Sequence, residues 1–111
     1  MTPGKNRGFR QLSISIVLYD TDQDTLVETI ESMASAVAEA QAENLINKTV
    51  FYLIQNGDEA RIPSETILKF LTPLQIEFVH KRNSVNLGFG RAHNQVIMTE
   101  SSEYSLILNP D

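Results

Sequence analysis

Four short apolar runs, separated by stretches of a different period, constrain this chain more than any other feature. They are Ser13-Ile14-Ser15-Ile16-Val17-Leu18-Tyr19, Val50-Phe51-Tyr52-Leu53-Ile54, Ile76-Glu77-Phe78-Val79 and Tyr104-Ser105-Leu106-Ile107-Leu108. Each has strand length and is rich in β-branched or aromatic side chains, the signature of strands buried in a sheet. Between the first two, Leu26, Ile30, Met33 and Val37 recur at i, i+4, i+7 and i+11. That spacing draws one apolar stripe along a helix, so Met33 reads as core. Asp22 or Asp24 is placed to cap it, because a short carboxylate accepts from the free N–H groups of a first turn. Ser64 is expected to cap a second, short helix carrying Ile67, Leu68, Phe70 and Leu71, with Pro73 closing it. A loop from His80 to Phe89 leads into a third helix over roughly 90–99, with Ala92, Val96 and Ile97 turned inward.

The order is β-α-β-α-β-α-β. Strands alternating with helices imply right-handed crossovers and a mostly parallel four-stranded sheet covered by helices. The expected fold class is therefore α/β, a Rossmann-like three-layer sandwich. One domain spans 12–111, behind a tail over 1–11 rich in Gly, Pro and basic residues. A chain of 111 residues buries roughly 60–70% of its unfolded surface, enough for a real core.

Composition narrows the function. The net charge is −5, with 14 acidic and 9 basic residues, and this argues against a nucleic-acid surface, which needs clustered Lys and Arg. There is no cysteine, which excludes thiolate catalysis and Cys-based zinc sites and fits a reducing cytoplasm. No apolar run reaches the ~20 residues that span a bilayer, and no signal-peptide pattern opens the chain. The expected location is the cytoplasm, with peripheral attachment to the inner face of the membrane as a variant.

In a parallel sheet, ligands bind beyond the carboxyl ends of the strands. The residues there are Tyr19, Asp20 and Thr21; Gln55, Asn56 and Gly57; His80, Arg82 and Asn83; and Asn109, Pro110 and Asp111. The segment Asn86-Leu87-Gly88-Phe89-Gly90-Arg91-Ala92-His93-Asn94-Gln95 approaches a dinucleotide fingerprint. It fails the test, because His93 stands at the third glycine position and the motif follows the third strand instead of the first. The plain reading is that Gly88 and Gly90 give positive φ at a turn, Arg91 and Gln95 form a solvated face, and His93 is satisfied in the helix. No G-K-[ST] P-loop and no G-x-S-x-G elbow occurs. Asp20, Asp22, Asp58 and Asp111 are short acids near strand ends, of the kind that hold a hard cation.

Taken in order, these pieces resemble family 2 glycosyltransferases with the GT-A fold, in their N-terminal nucleotide-sugar-binding half and most closely the rhamnosyltransferase-like bacterial branch. The segments that carry it are ISIVLYD at 14–20, TLVETIESM at 25–33, FYLIQNGD at 51–58, NLGFGRAHNQ at 86–95 and YSLILNPD at 104–111. The resemblance implies a UDP- or dTDP-sugar donor and a glycan acceptor, as in cell-surface polysaccharide biosynthesis. Tyr19 and Asp20 would line the base and ribose pocket. Gln55 stands where the family usually has an aspartate, a departure that removes a negative charge from base recognition. Asn56 follows it. Asn86, Gly88, Arg91 and Asn94 match the loop and helix that pass the diphosphate. Asn109-Pro110-Asp111 matches the D-x-D position, with Asp111 as ligand of a divalent cation, manganese or magnesium. The inverting family's base lies downstream of this motif, so these 111 residues are expected to be inert alone. Two alternatives stay open: a non-catalytic nucleotide-binding or regulatory module, and a fragment that pairs, with a copy of itself, through an exposed sheet edge.

Overall fold

The computed structural model describes residues 10–19, 21–57, 61–97 and 104–108. Asp20, Asp58, Asn109, Pro110, Asp111 and the segment 1–9 lie outside the described residues, and so do the side chains of Val96 and Ile97.

The elements run β1 (Gln11–Leu18), α1 (Gln23–Ala42), β2 (Lys48–Asn56), α2 (Ser64–Leu71), a 3-10 turn (Thr72–Leu74), β3 (Glu77–Asn83), α3 (Phe89–Ile97) and β4 (Tyr104–Leu108). The four strands form one parallel sheet in the order β3-β2-β1-β4. This is an α/β fold of Rossmann-like kind, as the alternation of periods required.

Pleating divides the strand residues between two faces. Ile14, Ile16 and Leu18 of β1 share one face with Phe51 and Leu53 of β2 and pack against Leu26, Ile30, Met33 and Val37 of α1 and Ile67 and Leu71 of α2. Val17 and Ile54 point the other way, onto Ala92 of α3. The expected helix stripe is thus the buried stripe, and Asp22 is the cap, its Oδ2 accepting from Thr25 N at 3.1 Å.

α2 ends at Leu71, and Pro73 follows inside the 3-10 turn. Leu68 of α2 is exposed. Two expectations are corrected. Ser64 is the first residue of α2 and not its cap; Pro63 holds the cap position and offers no side-chain acceptor. Most consequential, β3 continues through His80, Lys81, Arg82 and Asn83, which were expected in a loop. At the sheet edge the strand's N–H and C=O groups still pair with β2 on one side, so polar side chains cost little there. The register places Gln55 beside Arg82 and Asn56 beside Asn83.

Candidate functional site

The last two residues of β2 point to opposite faces, and each gathers a different cluster. Gln55 is fully buried on the α1/α2 face. Its Oε1 lies 2.7 Å from His80 Nε2, 3.0 Å from Arg82 Nη2 and 3.3 Å from Arg82 Nε. A guanidinium only donates, so the amide atom facing it is the oxygen, and His80 Nε2 must carry a hydrogen and donate too. Burial, and then the charge of Arg82, lower the His80 pKa below its ordinary value, as expected for a cation facing a like charge.

Asn56, on the α3 face, is also buried. Its Nδ2 donates to Asn86 Oδ1 at 2.6 Å. Its Oδ1 accepts from Leu87 N at 2.9 Å and from Asn83 Nδ2 at 3.2 Å. Asn83 and Gln95 exchange a pair of amide bonds at 3.2 and 3.3 Å. Asn86 Oδ1 also accepts from Gly88 N at 2.8 Å. These amides dock the 83–88 segment on the end of β2 and set where α3 begins.

Two glycines make the docking possible. Gly57 has φ +82°, and a Cβ there would lie 2.7 Å from Asn86 N. The two loops touch backbone to backbone, and only a residue without a side chain fits. Gly88 has φ +86°, as expected for a turn. Gly90 does not share that role: it lies within α3 without a positive φ, which corrects the expectation of two turning glycines.

The remaining predicted residues are scattered. Tyr19 ends β1 and is exposed. Arg91 and Asn94 are exposed on α3, and no hydrogen bond among the described residues joins these three to either cluster. Asp20, Asn109 and Asp111 lie outside the described residues. His93 is buried, with Nδ1 2.7 Å from Ser15 Oγ; burial lowers its pKa. Among the described residues no group of three or more His, Asp or Glu gathers to hold a metal ion, so the described part of the edge is not by itself a cation site.

Sequence reasoning named His80, Arg82 and Asn83 at the carboxyl edge without giving them a role, and it read Gln95 as part of a solvated face. The usable signal was the polar run at 80–83, which pairs with the equally polar end of β2 once both are read as strands. The sheet order turns at β1, where the crossover through α1 leads to β2 while β4 lies on the other side, and in such sheets that crevice receives the ligand. The fold therefore defines a parallel α/β domain with a polar, amide-lined carboxyl edge. No family model matches the chain, and no curated protein or solved structure matches it either. No helix among the described residues is long and apolar enough to cross a membrane.

Proposed function

We propose that this chain is the donor-binding half of a glycosyltransferase and takes a nucleoside-diphosphate sugar, UDP- or dTDP-linked, across the carboxyl edge of its sheet. The observation that carries the reading is the amide cluster in which buried Asn56 and Asn83 bond Asn86 and Gln95. It holds the Asn86–Gly88 turn and the start of α3 against the ends of the strands, where this fold class binds ligands. The order of the family-like segments along the sequence supports it further.

In this proposal Tyr19 and Asp20 border the base and ribose, and Gln55, itself buried, stands behind the base pocket without adding charge. Asn86, Gly88, Arg91 and Asn94 shape the passage for the diphosphate. Asn109 and Asp111 follow β4 in the sequence, and Asp111 would hold manganese or magnesium. When bound, such a cation offsets the charge that appears on the departing nucleoside diphosphate.

Calorimetric titration of the chain with UDP and with dTDP, with and without manganese, tests this. Metal-dependent binding is the expected result. Binding indifferent to metal would point to the non-catalytic nucleotide-binding module, and no binding at all would remove the proposal.

A second reading has its own observation. The two sheet edges differ in kind. β3 carries Glu77, His80, Lys81 and Arg82, whereas β4 carries no charge and exposes Tyr104, Leu106 and Ile107. Charged edge strands resist pairing and uncharged apolar ones invite it. A second copy, pairing β4 against β4 antiparallel, brings no like charges together along the strand. Solution scattering over a concentration series should then show dimers, which Leu106→Lys abolishes; a monomer at every concentration would exclude this reading.

A further inference from the structure

We propose that the Arg82 guanidinium, fixed in place by the buried amide of Gln55, is a binding subsite for a phosphate-type oxyanion at the carboxyl end of β2 and β3. The argument starts from which N–H bonds are used. Arg82 directs Nε and Nη2 to the single oxygen Gln55 Oε1, at 3.3 and 3.0 Å. That occupies one side of the guanidinium plane. The opposite fork, made by Nη1 and the second hydrogen of Nη2, is directed away from Gln55, on a residue that is exposed. Two parallel N–H bonds on a planar group match two oxygens of a phosphate, which is the recognition geometry in which arginine excels.

Among the described residues no carboxylate pairs with Arg82; the one ion pair is Lys48 with Glu77, 3.9 Å apart, at the other end of β2. A carboxylate at position 55 would orient Arg82 equally well and neutralise it. Glutamine orients it and leaves the full positive charge in place. The site is also rigid: Gln55 is fully buried, and His80 donates to the same oxygen at 2.7 Å, its ring parallel to that of Phe78 within 8°. An oxyanion arriving here meets a cation whose side-chain freedom has already been lost, which lowers the ordering cost of binding.

This subsite lies with Gln55 on the α1/α2 face of the sheet, whereas the Asn86–Gly88 turn of the diphosphate passage proposed above docks through Asn56 on the α3 face. It does not rest on the glycosyltransferase reading.

The test is a titration of the chain with inorganic phosphate and with pyrophosphate at constant ionic strength. It is followed by the Arg82 side-chain N–H resonances and by the pH titration of His80. The expected result is saturable binding with shifts centred on Arg82, and a rise in the His80 midpoint, because a bound anion offsets the guanidinium charge. Arg82→Gln should abolish binding, and Arg82→Lys, which keeps charge without the fork, should weaken it about tenfold. Gln55→Glu, shown to be folded by its amide spectrum, should weaken it at least as much while raising the His80 midpoint. Equal shifts on adding chloride at the same ionic strength, or unaltered affinity in a folded Arg82→Gln variant, would overturn the proposal. UDP binding retained in Arg82→Gln together with unaltered phosphate binding would leave the donor-site reading standing and sink this one. Phosphate binding lost in Arg82→Gln, on a chain that never binds UDP, would do the reverse.

Discussion

At the residue scale, single atoms decide what the site tolerates. The backbones of Gly57 and Asn86 meet so closely that an added Cβ has no room. Gly57→Ala should therefore destabilise the fold by about 2 kcal/mol or more, from positive-φ strain and the clash together. Gly90, helical and with nothing within 4 Å of an added Cβ, should accept alanine with a gain of about 0.5–1 kcal/mol. Urea melts of the two variants check the contrast, and equal effects would contradict it. Thr49 offers a second case. Its hydroxyl is buried without a hydrogen-bond partner among the described residues, and such a group costs roughly 1–3 kcal/mol of desolvation. Thr49→Val keeps the shape and removes the hydroxyl, so it should raise the urea midpoint. Neither feature was legible in the sequence. The glycine pair at 88 and 90 drew attention because it looked like a motif, while the demanding glycine was Gly57, and close approach between segments 30 residues apart leaves no local mark.

At the element scale, legibility followed burial. α1 was readable because one face is wholly core: the stripe Leu26, Ile30, Met33 and Val37 is buried to the last residue, and Asp22 caps it. β3 was only half readable, because an edge strand needs apolar side chains only where a helix covers it. Phe78 stacks on Phe51 at 5.8 Å, but beyond it the strand runs on in polar residues that a pattern search assigns to a loop. α3 is tied to β1 by a polar contact, His93 with Ser15, and this makes a pH prediction. His93 and His80 both have pKa values lowered from 6.5 in the fold. The unfolded chain therefore takes up these protons first as pH falls. Their contribution is fully present above about pH 6.5 and is lost as pH drops through that value toward the folded pKa values. Chemical melts at pH 7.5 and at about pH 5.5 should show lower stability at the acid point. His93→Gln should flatten that difference; an unchanged slope would contradict the assignment.

At the scale of the whole molecule, the sheet has one carboxyl edge, and nearly every unusual residue of the chain sits on it. The alternation of strand and helix was enough to foresee the parallel sheet, and the carboxyl-end rule was enough to choose Gln55 and Asn56, while Asn86 and Gly88 came from the family resemblance. It could not foresee that β2 splits its last two side chains between two faces. One amide holds Arg82, and the other holds the turn before α3. That division follows from pleating, but only once β3 is known to run through Asn83. The account stands on the claim that this edge binds a nucleoside diphosphate. The most direct test is to map amide shifts of the isotopically labelled chain as UDP and dTDP are added with manganese replaced by diamagnetic magnesium. The account predicts saturable shifts concentrated at Tyr19, Gln55, Asn56, Asn86 and Gly88, with the amino end of the sheet around Gln11 and Lys48 unmoved. Shifts spread evenly over the chain, or none at millimolar nucleotide, would contradict it.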